Sequence, residues 1–203
     1  MKRLSFTVII AALFLLSSCG RGNRELTLGT AVGGVYANEF FGFSITFPQN
    51  YYIKTNQEIA QMIGVPLADL TDSAALANIR ALPLFTAHQQ NPNAVTSGGY
   101  NPRLAITAER VEQIVTEKTY LTELLGYLTS PYLRYDEITY SQFGGRQFYI
   151  LTTTENTYYN GTLIMSSTSV YHATRLRGYI VMFVFTDFDN DLTNTLLRSL
   201  IIE

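Results

Sequence analysis

The sequence predicts an α+β fold: an antiparallel sheet of about six to seven strands covered by helices on both faces, an α/β/α sandwich. Three observations carry this. β-rich stretches are joined by Gly144-Gly145 and Asn160-Gly161, hairpin turns that make the sheet antiparallel. The run Tyr179-Ile180-Val181-Met182-Phe183-Val184-Phe185 is apolar at every position rather than at alternate ones, which requires a strand buried on both faces. Two leucine stripes at helical spacing, Leu121/Leu124/Leu125/Leu128 and Leu192/Leu196/Leu197/Leu200, supply the cover those faces need.

In chain order, residues 20–34 hold glycine and small residues without amphipathic period and read as a flexible tether in which little packs. Phe43, Ile45 and Phe47 then alternate with Ser44 and Thr46, the period of a half-buried strand, with Phe41-Gly42 as a tight turn or bulge from a preceding short strand and Pro48 as its stop. Tyr51 to Ile53 extends the sheet or its edge. Thr55 with Glu58 three residues on is a capping box, opening a short helix with Ile59, Met62 and Ile63 on one face and Gly64 at its end. A second helix follows Asp72, its alanines favouring helix and Pro83 ending the segment. Leu84–Gln89 and Leu104–Ala108 read as strands, separated by an exposed loop from Asn91 to Pro102. Thr116 starts the clearest helix and Pro131 closes it. Strands Glu137–Gln142, Arg146–Thr154, Thr162–Ala173 and Tyr179–Phe185 follow as hairpins before the last helix.

The amino end carries an address. Lys2 and Arg3 precede an apolar run from Leu4 to Leu16, too short for a membrane-spanning helix of roughly 20 residues. Leu16-Ser17-Ser18-Cys19 resembles the bacterial lipobox, which implies a signal peptide over 1–18, cleavage before Cys19, and a diacylglyceryl thioether on Cys19 with further acylation of its amino group. Two or more chains anchor stably where one is marginal. The competing reading is an ordinary secretory signal ending near a cysteine; it would leave the chain's single Cys as a free thiol in an oxidising compartment. Gly20 is not the Asp of inner-membrane retention, so in a two-membrane envelope the default is outer-membrane sorting. The expected organisation is thus signal peptide 1–18, lipidated tether 19–34 and one globular domain 35–203, facing outside the cytoplasm in a bacterial cell envelope.

Removing Lys2 and Arg3 leaves 12 basic against 16 acidic residues, a net charge of about −4 that argues against nucleic acid as a partner. Charged residues make up only 15% and aromatics 13% of the chain, which is globular rather than disordered composition.

Tyr36-x-Asn38-x-x-Phe41-Gly42-Phe43-Ser44-Ile45-x-Phe47-Pro48, the buried strand 179–185 and the Leu196-Leu197-Arg198-Ser199-Leu200 helix together resemble the PsbP-like superfamily, over most of residues 35–203. That group holds an extrinsic photosystem II subunit, a nuclear Ran-binding factor and many bacterial lipoproteins. The resemblance implies an antiparallel sheet between helices. Where relatives place Trp after the first strand's Pro, this chain has Tyr51, and the partner-binding residues of the photosynthetic and nuclear members have no matching motif.

No catalytic residue, metal site or cofactor is expected. Asp187-Phe188-Asp189-Asn190-Asp191 opens like a calcium loop, but Leu192 and Arg198 stand where its Gly and Glu belong, so Asp189 or Asp191 reads as a helix cap. His88 and His172 have no ligand-type residue at metal spacing beside them. Gly29–Gly34 lacks the Lys-Ser/Thr of a phosphate loop, and Asn160-Gly161-Thr162 reads as a turn rather than a glycan acceptor. Tyr100, Tyr158 and Tyr159 are the tyrosines expected in loops, offering amphipathic contact area at small entropic cost. The expectation is a lipid-anchored, non-enzymatic envelope protein, held to the membrane through Cys19, that serves as a protein-interaction or accessory module for another envelope protein; the alternative is a small-molecule or cell-wall-glycan binding module.

Overall fold

A computed structural model describes residues 24–94 and 100–203. The signal peptide, Cys19 and the middle of the 91–102 loop lie outside the described residues. Within them the chain is mixed α+β with two antiparallel sheets.

The first strands are β1 (Thr30–Val32), β2 (Val35–Asn38) and β3 (Phe43–Thr46), followed by β4 (Tyr52–Ile53) and helix α1 (Asn56–Ile63). The capping box forms as its residues require: the Glu58 N–H donates to the Thr55 hydroxyl at 3.3 Å and the Thr55 N–H to the Glu58 carboxylate at 2.9 Å. Gly64 takes the left-handed conformation, φ 72°, that ends the helix. Ile59 and Ala60 are the residues α1 buries; Met62, expected on the same face, is 54% exposed. The four-residue helix α2 (Ser73–Leu76) is capped by Asp72, which accepts from the Ala74 and Ala75 N–H groups.

Strand β5 (Ala81–His88) starts before Pro83 rather than after it. Proline lacks a donor for the ladder, and the pairing with β6 (Arg103–Arg110) shifts register between Pro83 and Phe85, so a bulge absorbs it. Helix α3 (Glu117–Tyr127) is capped by Thr116. Then come β7 (Leu133–Tyr135), β8 (Thr139–Phe143), β9 (Arg146–Tyr159), β10 (Thr162–Leu176), β11 (Tyr179–Thr186), α4 (Asn190–Arg198) and β12 (Ile201–Ile202).

The large sheet runs β4-β5-β6-β11-β10-β9-β7, with β8 also on β9: eight strands, where six to seven were expected. β11 lies between β10 and β6, and all its residues but Thr186 are buried, as its unbroken apolar run requires. On one face Ile180, Met182 and Val184 cluster with Leu121 of α3. On the other, Val181, Phe183 and Phe185 cluster with side chains of α1 and α4 and with Phe43 and Ile45 of β3. That second face is therefore not covered by helices alone, as the sandwich reading had it; the four-stranded sheet β1-β2-β3-β12 packs there too.

Residues 24–34 also depart from expectation. Leu26 and Leu28 are each 5% exposed and join the core, and β1 pairs with β2. Short apolar segments give no periodic pattern to read, so burial here is a tertiary result. Among the described residues, packed structure therefore reaches back into the stretch read as tether, ahead of residue 35. Asn38 fastens this segment: fully buried, it donates to the Thr27 carbonyl at 3.0 Å and accepts from the Phe41 N–H at 3.1 Å. Asn38→Ala should leave both groups unpaired and cost about 2 kcal/mol, a fall of roughly 5 °C in melting temperature by calorimetry. An unchanged transition would refute that role.

Candidate interaction surface

β9 and β10 have 14 and 15 residues, while β11 has 8. Since β11 pairs β10 only from Ser169 to Leu176, the distal parts of β9 and β10 overshoot the sheet as a hairpin arm. The Asn160-Gly161 turn closes it with φ values of 49° and 79°, both in the left-handed region that a tight hairpin demands. Rungs run from Thr154–Thr168 to Tyr159–Thr162, with one bulge between Leu163 and Met165 that leaves Ile164 unpaired with β9.

The arm's tip is apolar and wet. Tyr158, Tyr159, Leu163, Ile164 and Met165 are 41%, 68%, 50%, 61% and 41% exposed. Isolated exposed apolar residues are ordinary, but here five gather on one turn and its two strands, on both faces of the hairpin. Tyr132 packs against Tyr158, the rings tilted by 49° with centroids 4.9 Å apart, and the Asn156 N–H donates to the Tyr132 carbonyl at 3.3 Å, so the arm is braced on one side. From Asn156 to Thr174 there is no Asp, Glu, Lys, Arg or Pro.

The arm's base is clasped by Asp187. Its carboxylate accepts from the Thr168 N–H at 2.8 Å and the Ser167 hydroxyl at 3.0 Å, its own N–H donates to the Thr168 carbonyl at 2.8 Å, and the Tyr100 hydroxyl donates to its carbonyl. Asp189 caps α4 through the Leu192 N–H at 2.6 Å. Asp187 and Asp189 of the calcium-like stretch are thus occupied with backbone, and among the described residues no cluster of ligand-type side chains could hold a metal ion.

Of the three tyrosines singled out in the sequence, Tyr158 and Tyr159 lie together at the tip, whereas Tyr100 lies at the base beside Asp187. The Thr154–Thr168 rung is about 13 Å from Tyr158 at the usual strand rise, so Tyr100 and Tyr158 do not converge on one site. Leu163, Ile164, Met165 and Tyr132 carried no local signature. What could have shown them is the mismatch between the long 146–173 hairpin and the short 179–185 run.

His88 and His172 sit on opposite faces of the sheet: His172 shares a rung with Phe183, and His88 with Arg103, whose rung on β11 is Thr186, three residues on. They form no dyad. Both are buried, and His88 Nε2 and His172 Nδ1 find no hydrogen-bond partner among the described residues. Burial pushes each imidazole down to about 4, with the charges of Arg103 and Lys54 adding to the effect at His88.

A cavity of about 410 Å³ lies between α3 and the end of β6, lined among others by Arg80, Glu109, Arg110, Tyr120, Glu123 and Tyr127. Glu109 accepts from Tyr120 and from Arg80 at 2.7 Å each; burial first, and then the bond to the Glu109 carboxylate, raise the Tyr120 hydroxyl above its ordinary range. All of these charges except Arg110 and Glu123 are therefore already paired within the wall.

No protein-family model matches the chain, and no curated protein is similar to it in sequence. Among the described residues no helix is long and apolar enough to cross a membrane. Among solved structures, the fold is similar to LpqN of Mycobacterium tuberculosis, described as involved in cell envelope biogenesis, at 12% identity and TM-score 0.47 over 79% of this chain and 82% of that one. It is similar to the cyanobacterial PsbP of Synechocystis at 10% identity and TM-score 0.49, over 93% and 99%. A Bacteroides thetaiotaomicron protein is similar at 14% identity and TM-score 0.39, over 80% and 45%. The structural neighbours thus include a PsbP protein and a protein involved in cell envelope biogenesis.

Proposed function

We propose that this is a lipid-anchored, non-enzymatic protein of the bacterial cell envelope that acts as a protein-interaction module, with the β9–β10 arm as its docking surface. The observation that carries this reading is the arm itself: an uncharged hairpin that leaves five large apolar side chains in water. The fold spends no core residue there, and a docking partner is what would shield them. Anchoring rests on Leu16-Ser17-Ser18-Cys19. The Arg24 guanidinium is held by the Glu39 carbonyl at 2.9 Å and the Glu203 carboxylate at 3.1 Å. From Cys19 to Arg24 the chain reaches at most about 18 Å, so an anchored domain rides close to the lipid surface rather than on a long tether.

Photo-crosslinkers placed at Tyr159 and, as a control, at the equally exposed Tyr140 test this in living cells. The expected result is a discrete adduct from Tyr159 only, reduced at least tenfold by Leu163→Lys. Equal labelling from both positions would count against the arm. Intact-mass analysis tests the anchor: acyl chains on wild type and none on Cys19→Ala are expected, and an unmodified mature wild type would reject it.

The cavity beside α3 favours a second reading, a small-molecule or cell-wall-glycan site, because its volume lies in the range of ligand pockets. Thermal stabilisation by a muropeptide or small-molecule panel, lost in Tyr127→Ala, is the outcome that would move weight to it.

A further inference from the structure

We infer that the arm's partner is a second copy of this chain, joined by antiparallel pairing of β10 with β10 across a two-fold axis. This rests on the reading of the arm as a docking surface and names its occupant. Thr168 is the last β10 residue whose outward N–H and C=O are met, by Asp187. From Thr162 to Ser167 the strand is paired on its β9 side except at Ile164, and no described residue pairs with it on the other. Proteins guard such an edge with lysine, proline or inward charge. This one carries none of those, only the bulge at Ile164, which twists the arm without closing its edge.

Three considerations select a copy of the same chain. A strand edge paired antiparallel with itself is self-complementary, so one interface satisfies both partners and closes as a dimer. No charge stands between Asn156 and Thr174, so two arms meet without like-charge repulsion although each chain is net negative. Leu163, Ile164 and Met165, 50%, 61% and 41% exposed, flank that edge, so apolar side chains would line the joined strands beside their backbone hydrogen bonds. The eight-stranded sheets of two copies would then run on as one.

The test uses the lipidated protein in its own envelope and introduces single cysteines at Thr162, Ile164 and Ser166, with wild type as the control for Cys19. Mild oxidation should give a disulfide-linked homodimer that peaks at one position, the residue nearest the axis, and falls at least fivefold at the others. In detergent, sedimentation should give a dimer that Ile164→Lys converts to monomer with the same far-UV circular dichroism as wild type. Absence of any homodimer, or equal crosslinking at every position, would overturn self-pairing. If Tyr159 still yields an adduct with a different protein in that case, the docking surface stands and only its occupant is wrong; if neither forms, both readings fall.

Discussion

Acidification from pH 7 to pH 5 is expected to cost the fold about 2 kcal/mol through His172 and up to that again through His88. Each imidazole is held near 4 in the folded state against an ordinary value of 6.5, so the folded state refuses a proton that the unfolded chain accepts. The stability is complete above pH 6.5 and is lost as pH falls toward 4. His172 is the stronger case. It is 3% exposed, against 9% for His88, and lies edge-on between Phe143 at 5.7 Å and Phe185 at 5.5 Å with no acceptor for a second N–H. Urea titrations at pH 7 and pH 5 read this directly, and His172→Leu should remove about half of the difference. Because that variant also deletes an unpaired buried nitrogen, it should be neutral or stabilising at pH 7. Glu58, whose carboxyl is held below its ordinary 4.5 by the Thr55 N–H and the Tyr52 hydroxyl, loses its contribution only at lower pH, so the two effects separate on the pH axis. Coincident midpoints at pH 5 and pH 7 in wild type would rule out neutral buried histidines.

Phe183→Ala should destabilise by roughly 4 kcal/mol, a large share of the 5–15 kcal/mol typical of a domain. Phe183 is fully buried on the central strand, with its ring 5.2 Å from Phe43 of the small sheet and 5.8 Å from Phe148 of β9. It sits on the rung His172–Phe183–Ile106. Truncation removes the ring that both sheets share and opens a cavity flanked by aromatic rings that cannot slide in without breaking ladder pairing. The check is a denaturant midpoint that falls without a change in slope, with Phe183→Leu losing about a third as much. Tyr159→Ala, removing a similar ring from the tip of the arm, should shift stability by less than about 0.5 kcal/mol. If the two substitutions cost the same, the division between core and docking surface drawn here is wrong.

Much of the local structure was legible because its causes act over a few residues. The Thr55–Glu58 box, the Asp72 and Asp189 caps and the Asn160-Gly161 turn are each satisfied by groups within four positions, and all form. The strand from Tyr179 was legible for another reason: an apolar side chain at every position admits only burial on both sides. The same kind of local reading went astray at Pro83, where a bulge rather than a strand end satisfies the missing donor, and at Met62, where helical period named a face that the fold left in water.

Of the candidate surface, two tyrosines could be named from the sequence, but not the arm that bears them. Overhang is a difference between strands distant in sequence: β10 runs seven residues past its last rung with β11, and only pairing reveals that Thr162 to Thr168 have no strand on that side among the described residues. The small sheet is the larger case. Its β3 pairs with β12, joining Phe43 to Ile202, and Leu26 and Leu28 enter the core beside Tyr36 and Asn38. By itself the sequence determined where turns, caps and the central buried strand lie, because backbone conformation and nearest-neighbour hydrogen bonds settle those. Which strands meet, which ends of the chain are stitched together, and which hairpin is left reaching into solvent were decided by tertiary structure, because burial is shared among residues far apart and no single segment carries the information.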